Sequence, residues 1–115
     1  MSFQPSTPTV APRGLADDAV MLDVREQDEW DVGHAPNAVH IPLGEVSSRL
    51  GELAKLTDSG NVLPVVCRSG ARSGRAVAWL VQQGVDSANV DGGMMAWAAS
   101  GKPIVAPSGD PARVK

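Results

Sequence analysis

Val65-Val66-Cys67-Arg68-Ser69-Gly70-Ala71-Arg72-Ser73-Gly74-Arg75 carries an apolar run into the only cysteine of a 115-residue chain, then into a Gly-rich basic loop. Val62 to Val66 has the composition of a short buried strand, with Pro64 removing one backbone donor. Beyond Gly70 the apolar residues Ala76, Val77, Leu80 and Val81 recur at helical spacing, and Gly84 is placed to stop the helix. Cys67 therefore falls at a strand-to-helix turn. Successive N–H groups from Arg68 to Ser73 can curl around one point as an anion-binding nest, with the positive end of the helix behind them. Gly70 permits a backbone conformation that a Cβ would penalise.

A thiol at such a point loses its proton more readily than a free cysteine, whose pKa is about 8.5. The cations Arg68, Arg72 and Arg75 add to the expectation of a lowered pKa. The bland alternative is an inert buried cysteine. Strand before, polar basic loop after, and helix beyond favour the nucleophile. Spacing then limits what it handles. In phosphatases of the tyrosine or dual-specificity type the phosphate-binding arginine lies six positions after the cysteine, whereas Arg72 lies five after Cys67 and Ser73 takes the sixth position. The shorter loop makes a tighter cradle, suited to one sulfur atom on the cysteine. It speaks against phosphatase chemistry, as does the lack of a clear general acid.

Further motifs stand in order around the loop. Leu22-Asp23-Val24-Arg25-Glu26 is followed by Glu29-Trp30, Gly33-His34-Ala35-Pro36-Asn37-Ala38 and Ile41-Pro42-Leu43. After the Cys67 loop come Gly92-Gly93-Met94-Met95-Ala96-Trp97 and Gly101-Lys102-Pro103. From about Val20 to Pro103 the chain resembles a single-domain rhodanese, a thiosulfate sulfurtransferase or related sulfur carrier. Ala35 and Asn37 depart from the family's usual larger aliphatic residue and glycine. The resemblance implies an α/β, rhodanese-like fold, a central parallel sheet flanked by helices on both faces. It also implies a cysteine persulfide on Cys67, with Arg68, Ser69, Gly70, Ala71, Arg72 and Ser73 binding the donor, Asp23 and Arg25 in support, and no cofactor. The expected donor is a small anion such as thiosulfate and the acceptor is cyanide or a thiol. The rival reading is a sulfur carrier whose donor or acceptor is a protein, with little small-molecule turnover.

Composition agrees with this frame. One domain is the natural reading of the length, and 43% hydrophobic residues suffice for a modest core. A net charge of −3 leaves no basic footprint for nucleic acid. No apolar run approaches 18 residues, so no membrane span is expected. With one cysteine, neither an internal disulfide nor a CxxC motif is available. Two histidines and one cysteine give no metal-ligand spacing. Met1 to Pro8 lacks the pattern of a signal peptide, and a reducing, cytoplasmic setting is expected.

Along the chain, residues 1–15 read as a partly mobile arm with Thr9-Val10 as an edge strand. Residues 16–104 read as the domain and the Pro- and Gly-rich residues 105–115 as a loosely held tail. Strands are expected at Val20–Val24, Ala38–Ile41 and Ser87–Val90. Helices are expected at Asp28–Val32 and Met94–Ser100, an amphipathic helix or two short turns broken near Gly51 across residues 45–56, and a loop from Thr57 to Asn61. Asp23 and Arg25, at a strand end, read first as a local cap or ion pair, and His34 and His40 as turn or packing residues. Trp79, Met94, Met95 and Trp97 read as core. In an alternating α/β fold active residues collect at the carboxyl ends of the strands, where Asp23 and Cys67 both fall.

Overall fold

The structure is a computed structural model that describes residues 7–57 and 60–115. The first six residues of the arm, and Asp58 and Ser59 of the expected loop, lie outside the described residues. Five strands build one sheet: β1 (Thr9–Val10), β2 (Leu22–Asp23), β3 (Val39–His40), β4 (Leu63–Val66) and β5 (Ser87–Val90). Their order is β1-β5-β4-β2-β3 and every pairing is parallel. Three α-helices connect successive strands from β2 onward, α1 (Gln27–Val32), α2 (Leu50–Leu56) and α3 (Ala71–Gln82), and α4 (Gly93–Ala99) follows β5.

Strands buried on both faces divide their side chains between two cores. Leu22, Val24, Leu63, Val65 and Cys67 pack with Leu53 of α2 and Ala76, Val77 and Leu80 of α3. Met21, Val66 and Val90 pack on the other face with Met94 and Trp97 of α4. The alternation of Val65 and Val66 between the two cores is the period-2 signature of a strand with helices on both faces.

β4, which delivers Cys67, is the central strand, and Pro64 lies within it. Its missing donor does no harm there. The Leu63 N–H bonds the Asp86 carbonyl, so odd positions face β5, and the Val66 carbonyl accepts from the Val24 N–H, so even positions face β2. Pro64 would have pointed at β2, whose pairing begins only at Leu22↔Val65.

The helices follow their sequence signals with local differences. α1 opens with a capping box in which the Glu26 carboxylate accepts from the Glu29 N–H and the Glu29 carboxylate from the Glu26 N–H. Across 43–56 the chain runs as two 3-10 turns, Leu43–Glu45 and Ser47–Arg49, before α2 begins at Leu50, so the break lies at Arg49 rather than at Gly51. Val46 and Leu53 still face the core, with Leu50 and Leu56 beside them. Val81 and Met95, expected inside, are 46% and 45% exposed: each sits just off the apolar stripe of its helix. Despite Ala35 and Asn37, the turn before β3 closes by the Ala38 N–H to the Ala35 carbonyl, and the Asn37 amide reaches the Asp18 carbonyl.

The tail is not loose. Val105 pairs antiparallel with His34, and the Arg113 N–H donates to the Val32 carbonyl at 2.9 Å. Lys115 Nζ reaches Asp28 at 2.5 Å, and Ile104 and Val114 pack against the α4 core. Backbone pairing and two apolar side chains hold a segment whose Pro and Gly content carries no periodic signal.

Candidate functional site

Cys67 stands one residue beyond β4 and is 1% exposed. The chain then turns through Gly70, at φ +114, into α3. This conformation aims the loop's N–H groups inward: the Gly70 N–H lies 3.1 Å from Cys67 Sγ. Ser73, in the first turn of α3, brings its hydroxyl to 3.2 Å from Sγ. Burial pushes the thiol's pKa up, but the Ser73 hydroxyl and the N–H groups of Ser73, Gly70 and Ser69 outweigh it and leave the pKa below its ordinary value.

The inward N–H groups require outward carbonyls, and α4 satisfies them. Met94 N–H donates to the Cys67 carbonyl at 2.8 Å and Met95 N–H to the Arg68 carbonyl at 3.0 Å. Gly93 makes this approach possible. It has φ +61, and a Cβ there would lie 2.5 Å from both the Cys67 and Arg68 carbonyl oxygens. The Gly92-Gly93 pair thus shapes the cysteine loop from a helix that begins 26 residues after Cys67.

The arginines of the loop are turned elsewhere. Arg72 makes a two-pronged ion pair with Glu29 of α1, at 2.7 and 2.9 Å. That pairing first, with the Glu26 N–H in support, lowers the Glu29 carboxyl to about 2 against the opposition of burial. Arg68 Nε donates to the Lys115 carbonyl at 3.0 Å. Arg75 is exposed, beside a groove bounded by Leu43, Val46 and the half-buried Trp79. Lowering of the thiol's pKa therefore rests first on hydrogen bonds, with the charge of Arg72 still felt at the thiolate.

Asp23 and Arg25 form a buried ion pair, both side chains fully enclosed, with Nη2 to Oδ2 at 2.8 Å and Nε to Oδ1 at 3.0 Å. Arg25 also donates to the Gly33 carbonyl at 2.7 Å and to the Glu29 carbonyl at 3.4 Å. Arg25 holds one carbonyl in the middle of α1 and one just past its C-terminal end, and Glu29 of α1 holds Arg72. Asp23 and Arg25 thus bear on the loop through α1. His34 stacks on Trp30 with ring centroids 3.5 Å apart and has Nδ1 3.0 Å from the Trp30 carbonyl, a packing role. His40 stacks on the same indole, and its Nε2 lies 2.8 Å from the Arg25 carbonyl.

Two site residues escaped the sequence reading. Glu29 stands in the sequence as part of the Glu29-Trp30 motif, with no role at the loop assigned to it; its match to Glu26 across three positions signals the capping box. Asn89 places Oδ1 2.5 Å from Ser73 Oγ, and its Nδ2 donates to the Gly70 carbonyl at 3.0 Å. A polar side chain inside the strand run Ser87-Ala88-Asn89-Val90 was the available signal. Among the described residues no group of three or more His, Cys, Asp or Glu side chains is placed to hold a metal ion, and no helix is long and apolar enough to cross a membrane.

Comparison with known proteins gives this geometry its context. The chain is 42% identical over 98 residues to a sulfurtransferase of Allochromatium vinosum, covering 83% of this chain and 88% of the relative. It is 41% identical over 78 residues to a Bacillus subtilis protein named "Putative sulfur carrier protein YrkF", covering 67% of this chain but 40% of that protein. A rhodanese-related protein from Thermoplasma volcanium superimposes with a TM-score of 0.73 at 30% identity, over 85% of this chain and 97% of the other. With residues 7–100 matching the rhodanese-like domain, this parallel sheet and its cysteine loop belong to the rhodanese family, and the chain's relatives include proteins named as sulfurtransferase and as putative sulfur carrier.

Proposed function

We propose that the protein transfers sulfane sulfur through a persulfide on Cys67. The observation that carries this reading is the convergence on Sγ of the Gly70 N–H and the Ser73 hydroxyl at a pKa-lowered thiol. The thiolate attacks the outer sulfur of a donor such as thiosulfate. A new S–S bond forms, the bond between the two donor sulfurs breaks, and sulfite leaves with its electron pair. The persulfide's terminal charge then lies among the N–H groups of the loop, pre-positioned much as an oxyanion hole is. Cyanide or a thiolate takes the outer sulfur and returns Cys67 as a thiolate. Arg68, Ser69, Gly70, Ala71, Arg72 and Ser73 form the donor-binding loop, with Asp23 and Arg25 supporting it through α1. A reducing cytoplasmic setting would keep the thiol available.

A second reading, a carrier loaded and unloaded by protein partners, is favoured by one observation. Arg72 is held by Glu29 in a two-pronged pair, so a small anion competes with that carboxylate for it, and Arg68 spends its Nε–H on the Lys115 carbonyl. The relation to a protein named as a sulfur carrier points the same way.

Thiosulfate:cyanide turnover of wild type and Cys67→Ser, with intact mass after thiosulfate alone, tests both. Turnover and one added sulfur, lost together in the variant, support the enzyme. One added sulfur with negligible turnover supports the carrier. Neither signal in the wild type refutes persulfide chemistry from thiosulfate at Cys67.

A further inference from the structure

Ser73 has one hydroxyl proton and two acceptors beside it, Asn89 Oδ1 at 2.5 Å and Cys67 Sγ at 3.2 Å. A hydroxyl donates once and accepts through its remaining lone pairs, and a thiol is a weak donor that a thiolate is not. Two arrangements satisfy these rules. With Cys67 as a neutral thiol, its S–H donates to Ser73 Oγ while the Ser73 proton rests on Asn89 Oδ1. With Cys67 as a thiolate, the Ser73 proton must turn to Sγ, and Asn89 Oδ1 loses its donor.

Asn89 is built to hold this position. Its backbone is in register with Thr9 of β1 and Val65 of β4, and its N–H donates to the Pro8 carbonyl at 2.7 Å. Its Nδ2 donates to the Gly70 carbonyl, which fixes Oδ1 toward Ser73. A Cβ at Gly74 would come within 3.3 Å of Nδ2, so the glycine at 74 leaves the amide its space.

We propose that Asn89 is a positioning residue that competes with Cys67 for the Ser73 proton, favouring the neutral thiol and yielding the proton when the thiolate forms. The charged groups about the loop are Arg72, matched by Glu29 across it with Glu26 nearby, Arg68 on the side of Lys115, and Arg75, exposed one turn further along α3. Asn89 itself carries no charge and acts on the thiol through Ser73. The inference concerns the free thiol and stands apart from whether that thiol carries sulfur.

The test is an NMR titration of the reduced protein, following the Cys67 Cβ and Asn89 Cγ carbons. In the wild type the Asn89 Cγ signal moves at the Cys67 midpoint, and Ser73→Ala abolishes that movement. Asn89→Ala lowers the Cys67 midpoint by about half to one pH unit, the scale of one hydrogen bond. In a Ser73→Ala background the same substitution leaves the midpoint where it is. A midpoint unchanged or raised by Asn89→Ala, or an equal fall without Ser73, overturns the proposal. If Asn89→Ala fails to fold, the wild-type titration decides. An Asn89 Cγ that stays still through the Cys67 midpoint, or moves equally in Ser73→Ala, overturns it.

Discussion

Replacing Gly93 by alanine puts the shape of the cysteine loop directly under test. At φ +61 an alanine pays about 1–2 kcal/mol for the left-handed conformation alone. Its Cβ would sit 2.5 Å from the carbonyl oxygens of Cys67 and Arg68, which are backbone atoms with no rotamer to escape into. α4 must retreat, weakening the Met94 N–H bond to Cys67 and the Met95 N–H bond to Arg68. At about 0.5–1.5 kcal/mol each, these add roughly 1–3 kcal/mol. Gly101→Ala is the matched control: it has φ +78, but nothing lies within 4 Å of its added Cβ. Subtracting the control leaves the close approach, about 1–3 kcal/mol, or roughly 3–15 °C in melting temperature for a chain of this size. Thermal melts of the three proteins, paired with the pH dependence of iodoacetamide alkylation, read both consequences. Gly93→Ala should melt well below Gly101→Ala and show a raised thiol pKa, since the retreat of α4 frees the loop carbonyls to rotate. If the two variants melt within about 2 °C of one another and Gly93→Ala keeps the wild-type alkylation profile, α4 does not hold the loop.

The ion pair between Glu29 and Arg72 predicts a pH dependence of stability. Glu29 is lowered from 4.5 to about 2, so its contribution is complete above its unfolded pKa and disappears as pH falls through the folded value. The pair is partly exposed, with side chains 29% and 12% accessible, so a screened value of about 1–2 kcal/mol applies. Urea denaturation should find Glu29→Gln less stable by that amount at pH 6, with the gap closing between pH 4.5 and 2. A gap constant with pH would mean the pair contributes nothing through charge. For the buried pair, Arg25→Met should cost about 3–5 kcal/mol by leaving Asp23 charged and unmatched. Asp23→Leu combined with Arg25→Met should recover part of that loss, and chemical denaturation of both checks it. A loss under 1 kcal/mol for Arg25→Met alone would show that Asp23 is not held as a buried anion.

Much of the fold was legible because its signals are local. The apolar run before Cys67, the helical spacing from Ala76 to Val81, and the glycines after helices each depend on neighbours within a few positions. The strand-to-helix turn at Cys67 therefore stands where the chain placed it. The tail was misread for the complementary reason: its order comes from pairing with Val32 and His34, more than 70 positions away. Arg72 shows the same limit inside the site. Its charge and spacing were plain, but its partner depends on α1 being carried across the sheet to it. Asn89 shows it again: nothing near that residue in sequence reveals that Gly70 and Ser73 will lie against its amide.

The long reach of these contacts has a kinetic side. Asn89 and Gly93 follow Cys67 by 22 and 26 residues, and α1, which steadies Arg72, precedes it. Helix α3 alone can present Ser73, but the loop carbonyls gain their partners only when α4 docks and β5 joins the sheet. Contacts so far apart in sequence form late, after the loops that separate them have closed. A chain without β5 and α4 in place lacks the contacts that turn the loop's N–H groups toward Sγ. The lowered thiol pKa is thus a property of the completed fold, assembled from residues on both sides of Cys67 in the chain.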